Sequence, residues 1–269
     1  MDDNYNSDYD SVCSNEYNSK YKNNNFIPTI ILDKKFNIPE LNLQKQKITD
    51  CLDFFYCVNT IKLNCQENKI TKLSNLPPRL KILICNNNII TNLDNLPNEL
   101  EILECSNNQI YCLDHLPNGL KILHCTDNKL IYLNMLPETL EELNCSYNSI
   151  KKIDDMPIGL KILFCDNNNL SQINNLPVKL EELSCDYNEL SELMNLPNKL
   201  MILSCCSNKI KKIKNIPCSL KSLNCAFNDD NIFDMKNDNL PTWIKTIYIS
   251  KNIKIDEKYF PNTKIIYLR

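Results

Sequence analysis

Fifteen cysteines and two histidines are the residues best equipped for chemistry in this chain of 269. Nine of the cysteines, Cys65, Cys85, Cys105, Cys125, Cys145, Cys165, Cys185, Cys205 and Cys225, recur at every twentieth position. A thiol row could hold a soft metal, form disulfides, or pack as small apolar side chains. Neighbouring thiols would stand about 5 Å apart, but their side chains run parallel and the row is expected to be buried, which leaves oxidation or adventitious metal as the lesser readings. Disulfides need an oxidising compartment, whereas the start, MDDNYNSDYD, is acidic and polar and unlike a secretory signal. Inert packing in a reducing compartment is therefore expected. Cys51 and Cys57 flank the run CLDFFYC, expected to form a helical turn capping the N-terminal end. Cys112, Cys206 and Cys218 stand outside the row, and Cys206 is expected to face outward, open to reagents.

Other chemistry is poorly supplied. The two glycines, Gly119 and Gly159, stand alone, so no glycine-rich phosphate loop or dinucleotide fingerprint can be written. His115 stands where most other copies of the repeat carry Asn or Asp, which favours a turn role. His124 has Glu104 one turn away. The pair has the composition of a general-base dyad, but an open face neither excludes water nor fixes a substrate. No catalytic residue, cofactor or metal site is assigned. A net charge of −3 gives no general attraction to nucleic acid or anionic membrane. No run of about 18 apolar residues is present to cross a bilayer.

The elements that must position these residues follow from the period. Asn68 to Asn228 keep the same twenty-residue step in nine copies, and Pro77 to Pro217 keep it in eight. Such self-similarity is the signature of a solenoid. With the Leu three residues after each Pro as position 1, one copy reads Leu80-Lys81-Ile82-Leu83-Ile84-Cys85-Asn86-Asn87-Asn88-Ile89-Ile90. Leu83 and Cys85 alternate with Ile82 and Ile84, the period-2 mark of a short strand with Leu and Cys inward. Identical units stack, so the strands pair in parallel about 4.8 Å apart. Leu or Ile also recurs at positions 1, 11, 14 and 17, giving apolar rows along the stack. A Pro in every copy forbids helix interior on the far side of the coil, which should be extended or polyproline-like. The Asn at position 9 turns the chain, and its amide is expected to pair with backbone groups left open there.

The segment L-x-x-L-x-C-x-x-N-x-I resembles the leucine-rich repeat, with Cys in place of the third Leu. The resemblance runs from about residue 38 to Arg269. The L-P-x-x-L-x-x-L start and short period are similar to repeats in secreted effectors of Yersinia and Shigella. The Asn, Ile, Lys and Tyr bias resembles leucine-rich repeat proteins of giant DNA viruses. This likeness implies a horseshoe of α/β repeat type, mostly β, with a parallel concave sheet. Shigella-type effectors attach a ubiquitin-ligase domain after their repeats. The apparent cap at Arg269 leaves that activity unexpected here.

Residues 1–25 carry Val12 as their one aliphatic side chain and read as a disordered, Asn/Tyr/Ser-rich tail. Residues 26–59 read as an N-terminal cap and degenerate first repeat. Regular repeats are expected over 60–243, the last lengthened to twenty-four, with a degenerate repeat and cap over 244–269.

Function is expected on the outward strand positions, as the resemblance implies. Position 3 includes Ile122, Ile162 and Ile202; position 5 includes His124 and Phe164; position 8 includes Tyr147 and Tyr187. These form a more apolar face than solvation requires, with Asp166 and Asp186 as an acidic rim. The expected role is noncatalytic binding of another protein, with basic groups, in the cytoplasm. That partner would be a host protein if the chain is viral or an effector. Neither nucleic acid nor membrane is expected as a partner, and the oligomeric state is open. The alternatives are a substrate adaptor for a ubiquitin ligase and a passive structural or virion component. At position 2 the alternation Lys81, Glu101, Lys121, Glu141, Lys161, Glu181 sets opposite charges on neighbouring turns, a structural device.

Overall fold

A computed structural model describes residues 29–133, 135–153, 155–229, 242–253 and 257–269. The segment 1–25 and most of the lengthened step, 230–241, lie outside the described residues. The chain is a parallel β-solenoid. One long sheet contains, in spatial order, β2 (Glu40–Asn42), β4 (Lys62–Asn64), β6 (Ile82–Ile84), β7 (Ile102–Glu104), β8 (Ile122–His124), β9 (Glu142–Asn144), β10 (Ile162–Phe164), β11 (Glu182–Ser184), β12 (Ile202–Ser204), β13 (Ser222–Asn224), β14 (Thr246–Ser250) and β15 (Lys264–Leu268). Every pairing is parallel, and from β4 to β13 Leu faces Leu, one turn to the next. The turn from Leu41 to its partner Leu63 is slightly longer than the regular step, and that from Leu223 to its partner Ile247 is longer still.

The far side of the coil is extended, but the first turns organise it further. There β1 (Thr29–Ile31), β3 (Thr49–Asp53) and β5 (Lys69–Ser74) form a second parallel sheet. Cys51 and Leu52 thus lie in a strand, which corrects the helical turn expected in CLDFFYC. Strand neighbours on both sides supply backbone partners that a lone helical turn would forgo. A turn follows at once, closed by the Cys57 N–H donating to the Phe54 carbonyl at 2.8 Å. The two helices among the described residues are short 3₁₀ turns, Lys34–Phe36 and Glu257–Tyr259, and no helix is long and apolar enough to cross a membrane.

Each regular unit closes in the same way. The position-1 N–H donates to the carbonyl of the Pro three residues earlier, as Leu80 does to Pro77 at 3.1 Å. Proline suits this place because its missing N–H is not needed there. Next, two successive N–H groups share one carbonyl of the preceding turn: Glu101 and Ile102 both donate to Lys81 at 2.9 and 3.0 Å. Position 8 takes a left-handed backbone in nine consecutive copies, from Glu67 (φ 57°) to Phe227 (φ 54°). Asn and Asp tolerate that conformation and fill four of the nine places.

Inside, the position-1, 4, 6 and 11 rows are sealed: Leu80, Leu83, Cys85 and Ile90 are fully buried, as are their counterparts in successive turns. Each such Leu or Ile contributes about 1.5–3 kcal/mol. The Asn ladder binds turn to turn. Asn148 Nδ2 donates to the Cys145 carbonyl of its own turn and the Cys125 carbonyl of the turn before, both at 3.0 Å. Its Oδ1 accepts the Leu130 N–H at 2.9 Å. The same set recurs from Asn68 to Asn228, as at Asn168 and Asn208. All the ladder cysteines are free and buried. Burial pushes the Cys65, Cys105 and Cys145 thiols up to about 12.

Candidate functional site

The outward side chains of the long sheet form the candidate face. Strand alternation fixes their direction: Leu at position 4 is buried, so positions 3 and 5 must point away from the core. Ile122, His124, Ile162 and Phe164 are half-buried there, and Ile202 is 40% exposed. Tyr147 and Tyr187, 58% and 56% exposed, project at the edge of the same face. Both hold the left-handed backbone of position 8 (φ 55° and 53°). For a residue other than Gly, Asn or Asp this costs about 1–2 kcal/mol. Neither tyrosine repays that cost with burial. A shallow depression of about 270 Å³ opens on the face, lined by Lys121, Ile122, Glu141, Glu142, Lys161 and Ile162.

Electrostatics divide the sheet. Positions 2–8 of the five turns beginning at Glu101, Lys121, Glu141, Lys161 and Glu181 carry nine carboxylates and two lysines, a net −7. The whole chain carries −3, so everything else sums to +4. The two lysines are engaged: Lys121 with Glu101 at 2.6 Å, and Lys161 with Glu141 at 2.5 Å. Lys81 also reaches Glu101, at 3.1 Å. The position-2 row is thus a chain of exposed ion pairs, which holds the Glu101 and Glu141 carboxyls below the usual range. Exposed pairs of this kind contribute little stability.

His124 finds a carboxylate, but not the one expected. Its Nε2 lies 2.8 Å from Glu142 Oε1 on the following turn, whereas Glu104 Oε2 accepts from Asn86 Nδ2 at 2.9 Å. Residues at position 3 of one turn and position 5 of the turn before therefore reach each other diagonally. Among the described residues, no group of three or more His, Cys, Asp or Glu is placed to hold a metal ion.

Position 7 forms a second ladder. The Asp166 carboxylate accepts from Ser184 Oγ at 2.6 Å and from the Asp186 N–H at 2.7 Å. Asp186 in turn accepts from Ser204 Oγ at 2.7 Å and the Cys206 N–H at 2.6 Å. Asn86 and Ser106 do the same for the Ser106 and Thr126 N–H groups. The signal was available, because Asn86, Ser106, Thr126, Ser146, Asp166 and Asp186 all carry side-chain acceptors. Asp166 and Asp186 thus bridge turns as well as lending charge to the face.

The same geometry corrects the reading of Cys206. It stands at position 7 and is buried, as Ser146 and Ala226 are at that position. The chain has already turned there, so strand alternation no longer governs direction. Burial, reinforced by Asp186, raises the Cys206 thiol's pKa instead of activating it. Cys218 is the exposed cysteine among the described residues.

Asp186 makes a pH prediction. Burial is the main cause raising its carboxyl, with Asp166 adding to it. The folded state therefore binds this proton more readily than the unfolded chain, and the group gains the fold stability as pH falls through the raised value. At neutral pH its charge opposes folding. Asp186→Asn, which keeps an acceptor oxygen, is expected to raise the melting temperature at pH 7. Thermal scans from pH 7 to 4 should show that advantage shrinking; a constant difference would contradict the assignment.

Comparison with known proteins places the coil among familiar architectures. No family model matches the chain, and no curated protein does. Solved structures do. YopM from Yersinia enterocolitica is similar at 24% identity and a TM-score of 0.65, covering 85% of this chain and 54% of that one. The functional domain of InlJ from Listeria monocytogenes, which includes a cysteine ladder, matches at 24% identity and 0.70, covering 87% and 58%. The APL1 leucine-rich repeat domain matches at 20% identity and 0.66, covering 83% and 72%. The fold is the leucine-rich repeat. This chain spans little more than half the length of YopM or InlJ as solved. Within the leucine-rich repeat solenoid, the acidic middle turns are what distinguish one stretch of outward face from the rest.

Proposed function

We propose that this leucine-rich repeat solenoid is a noncatalytic scaffold that binds a protein with basic groups on the outward face of its middle turns. One observation carries the reading: the half-buried Ile122, Ile162 and Phe164 and the exposed Tyr147 and Tyr187 coincide there with a local charge of −7 in a chain of net −3. Apolar side chains left in water gain free energy when a partner covers them, and fixed charge of one sign selects and steers that partner. The aromatic rings of Tyr147 and Tyr187, more than half exposed at the edge of this face, support it, since aromatic side chains left in water are favoured anchors at interfaces. Similarity to YopM and InlJ is consistent with this role but identifies no partner. Nine free, buried thiols suit a reducing compartment such as the cytoplasm.

The test is partner capture from the native cell with the wild type and a Phe164→Ser/Tyr187→Ser double variant. Aromatic anchors at an interface centre typically contribute about 2 kcal/mol or more each, roughly thirtyfold in affinity. Capture should therefore vanish while far-UV circular dichroism stays unchanged. Undiminished capture by the double variant would remove this face from the function.

A further inference from the structure

Position 3 of the middle turns does not vary at random. From β8 to β12 it reads Ile122, Glu142, Ile162, Glu182, Ile202, apolar and acidic by turns. The register pairs these residues directly, Ile122 with Glu142, Glu142 with Ile162, Ile162 with Glu182 and Glu182 with Ile202. At about 4.8 Å per strand, the two acids lie about 10 Å apart with Ile162 midway. Phe164 stands beside Ile162 on the same strand and widens the apolar centre. Neither acid is neutralised by a lysine: Glu142 meets His124, and Glu182 has no ion-pair partner among the described residues.

We infer that the occupant of this row is a basic amphipathic helix lying along the solenoid axis, with cationic side chains seven residues apart and an apolar side chain between them. The inference rests on the proposed binding face and names what fits it. An α-helix rises about 1.5 Å per residue, so residues i and i+7 on one face are about 10.5 Å apart. Residues i+3 and i+4 fall about 5 Å along the same face. Cation, apolar group and cation then meet Glu142, Ile162 and Glu182 within an ångström of register. An extended strand repeats its face every ~6.8 Å, which drifts out of step with the acids. A polyproline helix repeats every ~9.3 Å and meets both acids, but puts nothing over Ile162 between them. Nucleic acid and anionic membrane are repelled by the face's charge.

The probe is a fluorescently labelled, helix-stapled peptide of about 18 residues, with lysines seven apart and leucines midway. Two peptides of equal length and charge serve as comparisons: one helical with lysines four apart, one extended by prolines. Anisotropy titration of the full chain should favour the seven-spaced peptide by about tenfold or more. A Glu142→Gln/Glu182→Gln variant, surface changes that leave the fold intact by circular dichroism, should abolish that preference. Equal affinity for all three peptides, or no binding of the seven-spaced one, overturns the helix assignment. If the peptide fails while cellular capture remains sensitive to Phe164→Ser/Tyr187→Ser, the face binds a partner of another shape. If both fail, the face itself is wrong.

Discussion

Raising the pH from 8 to 11 under reducing conditions is expected to unfold the solenoid over a narrow range. The cause is the thiol row. The nine thiols are fully buried, and burial drives each above its ordinary value near 9, to about 12 at Cys65, Cys105 and Cys145. Cys85, Cys125, Cys165, Cys185 and Cys205 are raised further by their neighbours, since each thiolate would face others one turn away. Above pH 9 the unfolded chain therefore releases protons that the folded chain keeps. Stability falls with pH wherever the native state binds more protons, so the sign is unambiguous. Each thiol removes a little over 1 kcal/mol per pH unit, and nine together remove on the order of 10. That is comparable with the whole stability of an ordinary domain, about 5–15 kcal/mol. Lys and Tyr also titrate there, so the diagnostic is the slope. A Cys105→Ala/Cys125→Ala/Cys145→Ala variant should lose about a third of the row's share of the pH dependence, a flattening of about 4 kcal/mol per pH unit in denaturant unfolding. An unchanged slope would show that the row is not what fails in alkali.

The second large effect concerns the Asn ladder. Asn148→Leu removes donors to the Cys125, Cys145 and Ser146 carbonyls and the acceptor for the Leu130 N–H. Each buried group left without a partner costs about 1–3 kcal/mol. A total loss of roughly 3 kcal/mol or more lowers the melting temperature by about 6–12 °C in a chain of this size. Ser149→Leu, one residue on and less buried, leaves the ladder intact and should shift it little. Comparable melting temperatures for the two variants would deny the ladder its part in joining the turns.

Much of this architecture was legible because a repeat reports its own geometry. Leu83 and Cys85 inward with Ile82 and Ile84 outward needed only the period of two, and stacking needed only the period of twenty. What stayed hidden depended on contacts between turns. That Asn148 should need an amide was readable; that it reaches a carbonyl 23 residues back was not. Alternation carried two residues past the strand misplaces Cys206, because the turn there has its own directions. CLDFFYC resembles a helical turn because its strand is imposed by β1 and β5, which share no motif with it. The left-handed position 8 was masked by Tyr147, Tyr187 and Phe227, the residues least suited to it. On the candidate face, Glu142 was visible as an outward acid, but its diagonal reach to His124 follows from the stagger of the strands.

The alternating charges at position 2 also decide what a change in the number of turns would do to neighbouring charges. Excising the single turn from Glu101 to Leu120 would seat Lys81 beside Lys121 and replace attraction with repulsion. Excising two turns restores opposite neighbours, and likewise keeps isoleucine and glutamate in rotation from Ile122 to Ile202. Parity is therefore conserved when duplication or loss happens in even numbers. Though the coil advances by twenty, its pattern of charge across these turns repeats every forty.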